Sequence, residues 1–452
     1  MTSNSHDDMT SQWKSSKGFM FAAIGGAIGL GNIWRFPYEL GQNGGAAFLI
    51  IYIAFVILIC LPLIAADTYL GRYTKQGSMT LFGKIAKLEG KSRHWKYVGW
   101  FIASSSFILC SYYSVIAGTT AAYAYESIVG TLNNISTESA AALYKSYETS
   151  PIKLSLWHAI MMIATGVVLS KQINQGIEKL VSIVIPLFFV LLLFLIVFAA
   201  VVGDFLAGVK FLFEPDFSKI SVELAISALG QAFFSIGVGM GVLSTLGAYL
   251  PKGTSIIRSS AIICFADTLV AILAGLCIFP LVFGFGMEAD VGSALVFNTL
   301  TVAFGQMQYG SVVATAFFAL LAIAGLTTLI ALLEQLVSYL SITHEMSRKK
   351  AATIVCGAAF SVGMLAVLST NILASVKIIG MNFADLFDWW IAQVGLPVGG
   401  MLTAIFVGWL IKKEHVISVL GSEEKYVFQI YFLIRYFCPV AILVTVLAQF
   451  IN

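Results

Sequence analysis

Two short stretches hold the residue types that can do chemistry in this chain. Ala27-Ile-Gly-Leu-Gly-Asn-Ile-Trp-Arg-Phe-Pro37 places an asparagine and an arginine among helix-breaking residues, inside an apolar run that begins at Gly18. Cys264-Phe-Ala-Asp-Thr-Leu-Val270 places a carboxylate, Asp267, within another apolar run, and no Lys or Arg lies within a turn or two of it beyond Arg258. An acid at membrane depth marks an ion or substrate pathway by default. Broken backbone there survives only where it is buried in protein or lines a cavity, because unpaired N–H and C=O groups are costly in hydrocarbon. The chemistry in prospect is the binding of ions and polar solutes in a dry site. The five histidines (His6, His94, His158, His344, His415) fall at termini or span ends, with no pair to ligate haem and no HExxH, which argues against a membrane enzyme. A channel or receptor is the other rival and would lack strict coupling.

The elements that must position these residues are membrane helices. Of 452 residues, 59% are hydrophobic and 11% charged, against roughly a quarter charged in a soluble domain. A span needs about 20 apolar residues. The sequence predicts about eleven spans, at 18–40, 46–70, 95–126, 155–171, 177–202, 223–249, 255–284, 310–343, 351–369, 380–411 and 427–450, with no soluble domain left over. The polar start, Met1 to Gln12, lacks a basic region and does not read as a cleaved signal, so 1–17 is expected to be a tail.

Lys and Arg cluster in alternate connections: Lys14 and Lys17; Arg72, Lys75, Lys84, Lys87, Lys91 and Arg93; Lys252 and Arg258; Arg348, Lys349 and Lys350; Lys412 and Lys413. The positive-inside rule then predicts a cytoplasmic N-terminus and, with an odd number of spans, an outward C-terminus. The net charge of +3 is explained by topology alone, so neither nucleic acid nor an obligatory protein partner is implied. The six cysteines (Cys60, Cys110, Cys264, Cys277, Cys356, Cys438) lie in apolar runs without CxxC spacing. They read as buried packing thiols, with no disulfide or cysteine metal site expected.

Two spans are interrupted. Gly25-Gly-Ala-Ile-Gly-Leu-Gly31 breaks the first and Ser235-Ile-Gly-Val-Gly-Met-Gly241 the sixth. One such cluster is accounted for by close helix packing through small residues. Two at matched positions, flanked by Asn32 and Arg35 and by Gln231 and Ser235, favour a binding site of broken helices. Paired breaks in two halves point to a transporter repeat. The expected organisation is a first five-helix repeat at 18–202, a second at 223–411 and an additional helix at 427–450.

These residues carry a resemblance. Gly29-Leu-Gly-Asn-Ile-Trp-Arg-Phe-Pro-Tyr38, Asn43-Gly-Gly45 and Gly71-Arg-Tyr73 resemble the opening of the neurotransmitter:sodium symporters. The likeness continues through Gln231-Ala-Phe-Phe-Ser235, Ala324-Gly-Leu-Thr-Thr328 and Leu396-Pro-Val-Gly-Gly400. It implies an all-α integral membrane fold, the LeuT-type five-plus-five inverted repeat with helices one and six broken, in the plasma membrane. It also implies two sodium ions. The first would take oxygens from Ala27, Asn32, Ser235 and Asp267 with the substrate carboxylate. The second would take backbone carbonyls of Gly25, Ile28 and Ala324 and the hydroxyls of Thr327 and Thr328. Hard cations take oxygen ligands. A carboxylate at Asp267, where many animal relatives have asparagine and need chloride, implies chloride independence.

Half-helix N-termini favour an anion, so the break at Leu30 and Gly31 suits a carboxylate, with the Tyr113 hydroxyl beside it. Monoamine members of the family carry aspartate at the position of Gly29; glycine here implies a substrate that brings its own carboxylate. The side-chain pocket is expected from Leu109, Tyr113, Ile116, Phe234, Val238, Met240, Thr328 and Leu332, with backbone room at Gly237 and its alternate glycines. Uncharged lining implies hydrophobic and aromatic L-amino acids. Arg35 and Asp388 match the extracellular gate pair, with Asp385 a second choice, Gln231 holding the arginine, and Tyr113 and Phe234 as the lid. On the other side Trp13 is expected at the inner gate, but Thr10 stands where relatives have arginine, leaving Lys14 or tryptophan packing alone. In the fifth span, Gly176 and Pro186 are expected to let the cytoplasmic end unwind.

Overall fold

The structure is a computed structural model; it describes residues 16–451 apart from 174, 251–252, 290–294 and 422–424. Trp13, Lys14 and the tail before them lie outside the described residues. Among those described, nine helices are long and apolar enough to cross a membrane, and ten when one bent pair is taken as a single span. The bent pair is the first predicted span: Gly18–Ala27 and Gly31–Gln42 meet at 46°. The others follow as Ala46–Thr74, Arg93–Ile128, Pro151–Leu169, Ile177–Val202, Ile256–Gly284, Gly310–Thr343, Arg348–Leu368, Phe383–Leu410 and Val427–Ala448. The sixth predicted stretch forms a shorter apolar helix, Val222–Ile236, then Val242–Gly247 after a break. The all-helical membrane architecture expected from the sequence is the one observed among the described residues, with the interruptions where the glycines stand.

Proline placement explains much of the helix geometry. Four π-helical turns, Gly31–Arg35, Val56–Cys60, Trp390–Gly395 and Leu433–Phe437, each end two residues before a proline, at 37, 62, 397 and 439. Proline cannot donate to the carbonyl four residues back, and its ring clashes with that carbonyl. Widening the preceding turn moves the carbonyl aside and lets the helix continue. Pro186, by contrast, sits inside an unbroken α-helix that starts at Ile177, directly after Gly176. The helix is not unwound between those two residues.

Spans three, eight and ten are the most buried, about 67%, 72% and 67% of their apolar stretches lying inside, against 28% for the fifth, which presents Ile183, Val190 and Val197 outward. Short helices at Ser78–Leu88, Thr137–Glu148, Phe205–Phe213 and Lys413–Gly421 fill the connections. All six cysteines are buried and unpaired. His158 corrects the reading of histidines as span-end residues. It is fully buried within the fourth span, its Nδ1 2.9 Å from Ser114 Oγ and its Nε2 3.1 Å from the Phe360 carbonyl oxygen.

Candidate functional site

The first break is two residues long. The helix from Ser16 ends at Ala27, Ile28 and Gly29 leave it, and a π-turn resumes at Gly31. Polar side chains, one from the same span and one from the third, cover what the break exposes. The Leu30 N–H donates to the Tyr113 hydroxyl at 2.8 Å, and the Gly29 N–H donates to Asn32 Oδ1 at 3.0 Å. Glycine at 29 is a steric requirement: a β-carbon there would sit 2.7 Å from Thr328 Oγ1 and 2.8 Å from the Tyr113 hydroxyl.

The second break is built from three alternate glycines. Gly237, Gly239 and Gly241 have φ of 71°, 77° and 72°, the left-handed region in which glycine is unpenalised. Gly239 also approaches the tenth span so closely that a β-carbon would lie 2.6 Å from the Gly400 nitrogen and the Leu396 oxygen. The turn is tied down through the Met240 carbonyl, which accepts from Ser106 Oγ at 2.7 Å and Gln335 Nε2 at 2.9 Å.

Between the breaks lies a polar cluster around Asp267. Asn32 Nδ2 donates to Asp267 Oδ1 at 2.8 Å, to the Asp267 carbonyl at 3.1 Å and to Ser235 Oγ at 2.9 Å. Ser235 Oγ donates to Asp267 Oδ2 at 2.8 Å, and the Tyr52 hydroxyl reaches the same oxygen at 3.2 Å. Asp267 and Asn32 are wholly buried. Three of the four residues expected around the first sodium therefore meet, though Asn32 turns its nitrogen to the carboxylate and its oxygen to Gly29. Tyr52 joins them from the second span; inside Phe48-Leu-Ile-Ile-Tyr52 it carries no signal separating it from a packing aromatic.

The donor set is a carboxylate, hydroxyls and amide or backbone oxygens. Among the described residues no group of three or more His, Cys, Asp or Glu converges. Such oxygens suit a hard cation rather than a transition metal. In the region expected for the second sodium, Gly25 faces Ile185 of the fifth span, where a β-carbon would sit 3.0 Å from Cδ1. Thr327 Oγ1 donates back to the Ala324 and Ile323 carbonyls at 3.0 and 3.2 Å.

A small cavity of about 20 Å³ sits at the breaks, room for about one water molecule. Ala27, Gly29 and Gly31 line it on one side, Phe234, Ser235, Gly237 and Met240 on another, and Leu109, Tyr113 and Thr328 close it. Gly26, absent from the expected set, lines it too. Ile116 opens instead onto the larger cavity described next. Val238 and Leu332 are buried outside the lining, Val238 facing Gly400.

That larger cavity, about 530 Å³, is lined by Arg35, Tyr112, Phe234, Asp385 and Asp388 among others. Phe234 belongs to both cavities and separates them, with the Arg35 guanidinium 4.5 Å from its ring centre. Arg35 pairs with Glu39 at 3.4 Å, while Asp388 Oδ1 accepts from the Tyr112 hydroxyl at 2.9 Å. Gln231 does not hold the arginine: its Nε2 donates to the Gly31 carbonyl at 2.8 Å. Glu39 is held in turn by Ser227 Oγ at 2.6 Å.

Two more buried acids escaped the sequence reading. Asp67 lies beside the Gly239 backbone and Thr403. Glu334, wholly buried, takes both guanidinium nitrogens of Arg348 at 2.9 and 2.6 Å. Each is an acid in an apolar run, the signal that singled out Asp267.

The comparisons with known proteins agree with this geometry. The model of the sodium:neurotransmitter symporter family matches residues 10–148 and 146–452. The chain is 33% identical over 440 residues to the uncharacterized sodium-dependent transporter YhdH of Bacillus subtilis, covering 96% of this chain and 97% of that one. It is 25% identical over 433 residues to the sodium- and chloride-dependent GABA transporter 2 of Bos taurus, covering 84% and 70%. The crystal structure of MhsT in complex with L-phenylalanine superposes with a TM-score of 0.89 at 36% identity, covering 96% of this chain and 99% of that one. This multi-pass membrane protein is a transporter and not an enzyme: it belongs to the sodium:neurotransmitter symporter family and uses sodium.

Proposed function

We propose that this symporter imports hydrophobic and aromatic L-amino acids with sodium by alternating access, without chloride, across the plasma membrane. The observation that carries the reading is Gly29. Where a side chain would collide with Tyr113 and Thr328, hydrogen alone leaves backbone beside a tyrosine hydroxyl. The substrate carboxylate goes there, and its amine meets carbonyls at the broken-helix ends. Leu109, Phe234 and Met240 offer the side chain an uncharged wall, and L-phenylalanine in the MhsT complex is a ligand of that kind.

One sodium is bound by Ala27, Asn32, Ser235 and Asp267 with the substrate carboxylate, Asn32 turning its amide to offer oxygen. The second is bound by Gly25, Ile28, Ala324, Thr327 and Thr328. Asp267 supplies a fixed negative charge beside the sodium, which makes chloride unnecessary here, whereas relatives such as the sodium- and chloride-dependent GABA transporter 2 are named for it. Coupling requires that sodium and substrate stabilise the same state, so each tightens the other's binding. Repeats at 18–202 and 223–411 move against each other, with the N-terminus cytoplasmic. Arg35 and Asp388 close the outer side, and helix five opens at Gly176 and Pro186 on the inner.

Proteoliposomes carrying only an inward sodium gradient test this. Leucine, phenylalanine and tryptophan should accumulate, equally with chloride or gluconate outside. Accumulation without sodium, a strict chloride requirement, or competition by glutamate but not leucine would overturn it.

A further inference from the structure

The fourth span, Pro151–Leu169, and the ninth, Arg348–Leu368, run together along the outside of the bundle and leave a groove of about 470 Å³ between them. Its wall is almost wholly apolar, Ala159, Gly166 and Gly357 among the residues that deepen it. At one end stand Ser170 and Lys349, at the other Ala159 and Phe360. We propose that this groove holds one anionic phospholipid, its phosphate at Lys349 and an acyl chain running toward Phe360.

Length is the first argument. Lys349 to Phe360 and Ala159 to Ser170 each span roughly 16 Å of helix at 1.5 Å per residue. That is about half of a 30 Å hydrocarbon core, the depth of one leaflet. A helix from a second copy of the chain would lie along the whole core. This groove stops where Phe360 stacks on the buried His158, ring centres 4.7 Å apart.

Charge is the second. Lys171, Lys349 and Lys350 are exposed at the same end and outnumber Glu345 in the connection, while Arg348 is committed to Glu334. Basic pockets between spans at the cytoplasmic side suit phospholipid headgroups. Gly357 is the third. Interior helix glycine is destabilising, and small residues normally repay that by close helix contact. Here a β-carbon would meet nothing within 4 Å, so the notch admits something other than this protein.

Native mass spectrometry of the full chain, delipidated and titrated with phosphatidylglycerol or phosphatidylcholine, tests the assignment. One phosphatidylglycerol should be retained and phosphatidylcholine should not. Lys349→Gln should weaken retention about 5-fold, or about 1 kcal/mol, and Gly357→Leu should abolish it. Protection by sodium against heating will show that each variant is folded. Val167→Trp, which blocks the facing wall, replaces Gly357→Leu if that variant does not fold. Equal retention of the two lipids, or phosphatidylglycerol binding that survives a filled groove, overturns the proposal. So does a dimer that dissociates on filling it, which would assign the groove to a second copy.

Discussion

Arg35 reaches Glu39, one turn further along its own helix, at 3.4 Å, and Asp388 across the same cavity is bonded to Tyr112. The arginine that matches an outer gate is thus parked on a near neighbour. If the parked and closed arrangements compete for one guanidinium, Glu39→Gln should favour closure. Partly exposed ion pairs are worth at most about 1 kcal/mol. The variant should bind L-phenylalanine up to about 5-fold more tightly and release it more slowly, measured with labelled substrate at saturating sodium. Asp388→Asn should do the reverse, and identical release rates in both variants would remove partner exchange from the mechanism.

Removing the charge at Asp267 leaves Asn32, Ser235 and Tyr52 around a neutral amide. Asp267→Asn should raise the sodium concentration for half-maximal uptake by at least about 10-fold, the effect of roughly 1.4 kcal/mol. Part of that loss should return when chloride replaces gluconate. A variant indifferent to both ions would separate Asp267 from sodium binding.

Gly29→Ala places a methyl 2.7 Å from Thr328 Oγ1, closer than packed atoms tolerate. Amino-acid binding should fall by about 10-fold or more, the effect of roughly 1.4 kcal/mol, because the methyl displaces the Tyr113 hydroxyl from beside the backbone that meets the substrate. The substrate-free protein should melt within a few degrees of the parent. Wild-type uptake would show that the backbone there does not meet the substrate.

Arg348→Ala strands the carboxylate of Glu334, which has no solvent contact. Breaking a buried pair from one side costs about 3–5 kcal/mol, so the melting temperature should drop sharply in detergent. The double variant Arg348→Met with Glu334→Leu should recover most of it, because apolar replacement of both partners is often neutral. A single variant as stable as the parent would mean that water reaches Glu334.

The sequence made the breaks legible because glycine spacing and buried polar residues are local signals. Gly237, Gly239 and Gly241 could be read as a break before their left-handed backbone was known. The same composition argument found Asp267 and its neighbours. Which hydroxyl or amide reaches which oxygen depends on how π-turns rotate a helix, and that is not local. Gln231 was expected on Arg35 and bonds the Gly31 carbonyl; Val238 and Leu332 were expected in the pocket and are buried outside its lining. Tyr52 and Glu39 were invisible for another reason: a tyrosine in an apolar run and a glutamate near a span end are ordinary wherever they do nothing.

The four π-turns ahead of prolines have a consequence for comparing this chain with others. A π-turn carries one residue more than the α-helix it replaces over nearly the same rise. A relative that keeps a plain helix at Val56–Cys60, or at Leu433–Phe437, must therefore be aligned with a single-residue gap in the middle of the span, where gaps are normally forbidden. Without that gap every later residue of the helix is compared with a neighbour rotated by about 100°, and a residue facing the core is mistaken for one facing lipid.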